Sequence, residues 1–366
     1  MMNKLSGILR RIQGSLFPRL DEALSRPMTD EHKKVAKILE IVRAEDVIRQ
    51  PHQWTGRPAH EWALIGRAFV AKAVLGLTST RDLISRLKVD ENLRRLCGWQ
   101  NGQVPSESTF SRVFAQFATL NMPERIHGIL IREHVGGALV ENSSIDGSAL
   151  EGREKAVRKK EPKKRPPKKR GRKKKGEEGV VAPDDIPALD LYTRMSPGEI
   201  AKAIPQGCDW GGKRNSQGNV EWWRGFKIHI HSAEGEIPLA VLVTSASVHD
   251  SQPVPYLVKR TKERCPNVLY TLTDAAYDAQ SITRLIEGYG GVHVTDSNPR
   301  GGEKIPLDPA KKERYKKRSG AERVFSRLKE EFGVTFLRVR GPRKVTAHVM
   351  FSVLALTADQ LLRLVA

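Results

Sequence analysis

Cysteine is nearly absent: Cys97, Cys208 and Cys265 stand alone among 366 residues. No two of them form a Cys-x-x-Cys pair, which excludes a disulfide framework and a cysteine-based structural zinc set and fits isolated reduced thiols. Acidic residues are also short. Asp and Glu number 42 against 63 Lys and Arg, and the resulting net charge of +21 favours a polyanionic partner, nucleic acid before an anionic membrane surface. Nor is there a run of ~20 uninterrupted apolar residues, as a membrane-spanning helix requires. The nearest stretch, Val345 to Ala366, carries His348, Asp359 and Arg363 and reads as a buried C-terminal helix. The basic N-terminus lacks an apolar core with a small-residue cleavage site, so secretion is not expected. His229 and His231 alternate on a strand and His249 follows, but no cysteine or acid completes a transition-metal set around them.

Apolar spacings of three and four come first. Leu5, Ile8, Leu9 and Ile12, then Val35, Ile38, Leu39 and Ile41, predict amphipathic helices in a lead-in over residues 1–57. Trp62, Ile65, Phe69, Val70 and Val74 predict a stronger helix from Pro58 to about Leu77. Thr78 to Asp82 stops it and caps a helix running to about Leu87, and another covers Glu91 to Leu96. A cap at Ser106 then leads into Phe110, Val113, Phe114 and Phe117. Residues 58–135 thus read as an all-helical unit. Its short helices resemble a helix-turn-helix with Arg112 outward, so it either contacts DNA or a partner, or is a plain bundle.

Past Gly136 the texture changes. Ala138-Leu139-Val140 and Ile145 predict a strand ending at Asp146. Arg153 to Lys175 is dominated by Lys, Arg and Pro and is expected to be disordered on its own, and the whole insertion over 151–218 is expected to be disordered with it. Its Arg170-Gly171-Arg172 centre reads as an AT-hook for a narrow minor groove, or as a generic polycation that raises non-specific DNA affinity. Trp210, Trp222 and Trp223 are either packing residues or a stacking platform for a base. Further strands are expected at Val220–Ile230, Leu239–Thr244, Val268–Thr273 and Val292–Thr295, with helices near Pro255–Glu263 and Ile282–Ile286. Without the insertion the order is strand, strand, strand, helix, strand, helix, strand, helix. That is the order of a ribonuclease-H-like α/β core, a mixed sheet flanked by helices, so residues 136–366 form such a unit behind an all-helical N-terminal part.

Two acids close predicted strands, Asp146 and Asp274. A lone Asp there is ordinarily a turn or cap residue, and Asp278 is an alternative to Asp274. Near the C-terminus stands Tyr315-x2-Arg318-x3-Glu322-x6-Lys329. Offsets of three, four and seven predict one stripe on a single helix. A phenol, an acid and two cations are poor core material and suit a phosphate backbone met together with a metal. Asp146, Asp274 and Glu322, from three separate elements, make a hard oxygen set for two Mg²⁺ (or Mn²⁺) ions ~4 Å apart, the arrangement that serves in-line displacement at a phosphodiester.

On these residues the chain resembles the DDE transposases of bacterial insertion sequences, in the class carrying the Tyr-x2-Arg-x3-Glu-x6-Lys signature. Asp146-Gly147-Ser148 looks like the first catalytic segment of that family, Thr273 to Asp278 like the second, and His249-Asp250-Ser251 like a recurrent one. The resemblance covers residues 60 to 366. It implies that Asp146, Asp274 and Glu322 hold two ions and that water nicks the transposon end. The exposed 3′-OH then attacks target DNA. Arg318 and Lys329 would grip phosphates and Tyr315 would hydrogen-bond one. The implied partners are duplex DNA, as terminal inverted repeats and target, and a second copy of the chain in a homodimer on DNA; no membrane is implied. The implied setting is the bacterial cytoplasm, at the nucleoid. The basic block after Asp146 is longer than the family's pattern. Rival readings are a metal-dependent nuclease without strand transfer, a non-catalytic DNA-binding protein descended from a transposase, and an RNA-binding protein.

Overall fold

The computed structural model describes residues 2–24, 26–49, 60–100, 102–157, 186–214, 217–299, 303, 306–335 and 337–365. Arg170 and Arg172, and with them the AT-hook reading, lie outside the described residues. The N-terminal third is helical: α1 (Met2–Arg11), a π-helical turn (Ile12–Leu16), α2 (Phe17–Ala23), α3 (Asp30–Val42), α4 (Ala44–Val47), α5 (Trp62–Val74), α6 (Thr80–Val89), α7 (Glu91–Cys97), α8 (Glu107–Thr119) and α9 (Met122–His134). The caps explain several starts. The hydroxyls of Thr29, Ser79 and Ser106 accept the third backbone N–H of α3, α6 and α8, and Asp90 does the same for α7.

The sheet follows: β1 (Val140–Glu151), β2 (Asp209–Arg214), β3 (Val220–Ala233), β4 (Ile237–Ser245), β5 (Val268–Thr273) and β6 (Val292–Thr295). Between these strands lie α10 (Ala188–Arg194), α11 (Pro197–Ala203), α12 (Val254–Arg264) and α13 (Gln280–Gly288); α14 (Pro309–Tyr315), α15 (Gly320–Glu330) and α16 (Pro342–Arg363) close the chain. The order is β2-β3-β1-β5-β6, with β4 also on β3. β3 is antiparallel to β1, β2 and β4, whereas β1, β5 and β6 run parallel. The first half of β3 pairs with β2 and its second half with β4, so β2–β3 forms a hairpin beyond the main sheet. This is the expected ribonuclease-H-like mixed sheet flanked by helices, behind a helical N-terminal region.

One face of the sheet carries Leu150, Phe226, Ile228, Ile230, Val241 and Val243. It shares a core with the N-terminal helices and with α16, where Phe69 meets Phe110, Phe114, Phe117 and Phe351. The expected division at 57/58 falls outside the described residues, and the one at 135/136 falls between α9 and β1. The other face, with Ile145, Ala240 and Leu242, packs under α10 to α13. α16 is the one helix among the described residues long and apolar enough to cross a membrane, and 89% of its most apolar window is buried. It is the core helix expected from Val345 onward.

Three expectations are corrected. β1 does not end at Asp146 but runs on to Glu151, because β3 pairs with it as far as Gly225. Gly147 serves close packing instead of a turn: a Cβ there would lie 3.0 Å from His229 Nδ1 and 3.2 Å from Asp250 Oδ1. The 151–218 insertion contains regular structure, α10, α11 and β2, and α11 starts at a Ser196/Glu199 capping box. The Tyr315–Lys329 segment is not one helix. Tyr315 ends α14, Arg318 sits in a 3₁₀ turn (Lys316–Ser319), and Glu322 and Lys329 lie in α15. Consecutive cations at 316–318 repel, and Ser319-Gly320 are weak helix formers, which favours the tighter turn there.

A charged cluster joins helices to sheet. Arg264, almost wholly buried at the end of α12, donates to Glu124 of α9 and to the Leu239 carbonyl at 3.0 Å, and Arg260 donates to Glu124 at 3.1 Å. Burial works to lower the Arg264 pKa, with Glu124 opposing it. Glu124→Ala should strand that guanidinium and cost about 3–5 kcal/mol in chemical denaturation, more than Glu263→Ala on the exposed side of Arg260.

Candidate active site

Asp146 stands in the middle of β1, opposite Ile230 of β3 and on the face toward α15. The parallel pairing of β1 with β5 ends at Ser144 and Leu272; Asp146 and Asp274 each lie two residues further on, Asp274 just past the end of β5, and Asp146 feels the Asp274 charge. Asp146 is mostly buried and accepts the Gly147 N–H at 2.7 Å. Burial pushes its pKa up to about 6; Asp274 adds to the rise, while the Gly147 N–H, Arg318 and Lys213 oppose it. Asp274 accepts the Ala276 N–H at 2.9 Å and caps the 3₁₀ turn Ala275–Tyr277, and Thr295 donates to its backbone carbonyl. The alternative acid, Asp278, instead accepts the Asn298 N–H and holds the loop after β6.

Glu322, in the first turn of α15, does not complete a triad as it stands. Its carboxylate accepts Arg318 Nη2 at 2.9 Å and is more than half exposed, whereas the Arg318 side chain is 22% exposed. Among the described residues no group of three His, Cys, Asp or Glu is close enough to hold a metal ion. The donors suit a hard divalent cation chemically, being carboxylate oxygens from three elements, and the unfavourable crowding of Asp146 against Asp274 is what such a cation relieves.

Arg318 is central to the charge balance. Burial works to lower its pKa, but Tyr315, Asp146, Glu322 and Asp274 together raise it. Tyr315 lies under it, 5.7 Å from ring centroid to guanidinium carbon, with its own pKa raised by burial. Lys329, two turns along α15 from Glu322, has its pKa lowered by burial and by Lys213 of β2. Lys213 therefore acts on both Asp146 and Lys329, which places the β2–β3 hairpin beside the acids. Trp210 and Trp222 on that hairpin are 52% and 68% exposed, while Trp223 is half-buried and donates to the Phe226 carbonyl.

Several groups here escape sequence reading. Lys227 bridges the Val248 carbonyl and Asp250. Tyr277 is buried with an unpartnered hydroxyl; burial, then Asp146, Asp250 and Asp274, hold its pKa well above the ordinary phenol value. Arg314 lies 3.6 Å over the Tyr270 ring and donates to Glu141 and Asn142, pinning α14 to the starts of β1 and β5. The Asp274-Ala275-Ala276-Tyr277 spacing and the cation at 227 between the apolar Phe226 and Ile228 were the available signals. The imidazoles of His229 and His231 are taken up by hydroxyls, Thr244 for the first and Ser143 and Thr261 for the second.

Residues 196–358 match the family described as the transposase DDE domain, and residues 22–116 match the transposase domain family DUF772. The chain belongs to the DDE transposases. Asp274 and Glu322 fall inside the first matched stretch and Asp146 lies upstream of it. No curated protein and no solved structure is similar enough to match the chain. Membership implies that this transposase acts on DNA, in keeping with its net charge of +21.

Proposed function

We propose that this transposase cleaves DNA at the ends of its element and joins the freed 3′-OH to target DNA, as a member of the class with the Tyr315, Arg318, Glu322, Lys329 signature. The observation that supports this reading is that Asp146 and Asp274 follow the paired stretch of parallel β1 and β5 and share the charge of one guanidinium, Arg318, which also bonds Glu322. Asp146, Asp274 and Glu322 would hold two Mg²⁺ or Mn²⁺ ions, which supply a nucleophilic oxygen and neutralise charge on the phosphate. Arg318 offers a planar fork to two phosphate oxygens, and Lys329 a point charge further along the backbone. Tyr315 supports the guanidinium from below. In the first step water attacks phosphorus and the 3′-oxygen leaves with a proton. In the second that 3′-OH attacks a target phosphodiester, whose own 3′-oxygen leaves.

The hairpin with Lys213, Trp210 and Trp222 extends the surface available to DNA beside the acids, and residues 58–135 supply a helical unit for reading the terminal inverted repeats. The working form is a homodimer on DNA at the bacterial nucleoid. The test uses a duplex copied from the DNA flanking the coding sequence, incubated with the protein, a target plasmid and Mg²⁺ or Mn²⁺. Covalent joining of the duplex 3′ end to the plasmid is the expected product. Cleavage without joining would favour the nuclease, and metal-independent binding without nicking the non-catalytic DNA-binding protein.

A further inference from the structure

The geometry points to Arg318 as a latch that keeps Glu322 away from the aspartates until a DNA phosphate takes the guanidinium, so that divalent-metal loading follows DNA binding. This rests on the reading of Asp146, Asp274 and Glu322 as the metal-holding acids. Three observations carry it. Arg318 Nη2 bonds Glu322 Oε1 at 2.9 Å across the junction of the 3₁₀ turn and α15. The guanidinium is the more buried partner and the carboxylate the more exposed one, so the acid is turned outward toward the cation. The same guanidinium also lies in the field of Asp146 and Asp274, whose crowding it relieves in place of a metal.

A guanidinium and a divalent ion then compete for the same carboxylates. The Glu322 contact is single-pronged and partly exposed, whereas a phosphate accepts two parallel N–H bonds from Arg, so a duplex outcompetes Glu322 for the fork. Once released, Glu322 is free to leave the fork. Because coupling is reciprocal, metal must raise DNA affinity by the factor by which DNA raises metal affinity.

The test measures Mn²⁺ binding by electron paramagnetic resonance, with and without a pre-nicked duplex copied from the flanking DNA, on which no cleavage remains. Without DNA, Arg318→Gln should bind Mn²⁺ about tenfold more tightly than the unaltered protein. The duplex should tighten Mn²⁺ binding by the unaltered protein and leave Arg318→Gln unchanged. Glu322→Gln should weaken binding only when the duplex is present. Equal Mn²⁺ affinity of Arg318→Gln and the unaltered protein without DNA would overturn the latch, as would a Glu322→Gln loss that is the same with and without duplex. If Asp146→Asn and Asp274→Asn leave Mn²⁺ binding untouched under every condition, it is the metal-site reading that fails, and the latch with it.

Discussion

Asp274→Asn is expected to lower strand cleavage by roughly 10³-fold, about 4 kcal/mol of transition-state stabilisation, while duplex binding stays intact or tightens. The substitution keeps the shape of the side chain and an oxygen to accept the Ala276 N–H, so the 3₁₀ turn after β5 survives. What it removes is a negative charge beside Asp146. Asp146→Asn and Glu322→Gln should fall by similar factors. Groups that act as a unit are not additive, so the double variant Asp146→Asn/Asp274→Asn should be little worse than either single one. Asp278→Asn, whose carboxylate serves the loop at Asn298, should keep cleavage within a few-fold of normal. Single-turnover cleavage with duplex binding measured in parallel decides the matter. Cleavage by Asp274→Asn at an ordinary rate would remove the acids from the chemistry.

The same substitutions carry a stability signature that separates an active-site acid from a structural one. Asp146 has its pKa raised to about 6, chiefly by burial, so its ionised form destabilises the fold without metal. Asp146→Asn should therefore raise the stability of the metal-free protein near neutral pH by about 1–3 kcal/mol while abolishing cleavage. A carboxylate present only to satisfy local backbone would do the reverse. Strain of this kind is characteristic of groups retained for chemistry.

The placement of the acids explains how much of the site could be read from sequence. Val268–Thr273 and Val292–Thr295 coincide with β5 and β6 as expected, since short β-branched runs bounded by polar residues admit few alternatives. Ser106 announced α8 through cap chemistry, which is local. β1 was cut short because Gly147-Ser148 reads as a turn, while its true partners, His229 and Ile228, are some eighty residues away. α10 and α11 were hidden beside a charge-rich stretch, although Ser196 and Glu199 marked α11. Arg318 and Glu322 were legible as functional residues, and four residues apart they are also spaced to pair. The break of the segment into α14, a 3₁₀ turn and α15 was not legible; α14 is pinned by Arg314 to Tyr270, Glu141 and Asn142, far away in the sequence.

Acid should destabilise the metal-free protein through its buried imidazoles. Burial pushes the pKa values of His229 and His293 down to about 4 and those of His231 and His348 down to about 3, from an ordinary value of 6.5. All four are neutral in the folded chain, and three of them bond hydroxyls: Thr244; Thr273 and Thr283; Ser143 and Thr261. Below pH 6.5 the unfolded chain takes up four protons that the folded chain refuses. Their contribution to stability is thus fully present above 6.5 and is lost as pH falls toward the folded values of 3–4. Each group costs ~1.4 kcal/mol per pH unit, so four cost roughly 5. Asp146 works in the opposite sense. Between about 6 and 3.8 the folded state binds a proton that the unfolded chain does not, which returns ~1.4 kcal/mol per unit. The net loss is roughly 4 kcal/mol per unit, against a typical total of ~5–15 kcal/mol, so half-unfolding is expected between about one and four units below pH 6.5. Circular dichroism melts across this range measure it. His293→Gln, which can still bond Thr273 and Thr283, should flatten the dependence by about a third, because the unfolded chain then gains one proton fewer. A melting temperature unchanged between about pH 7 and pH 5.5 would show that these imidazoles are not held neutral in the core.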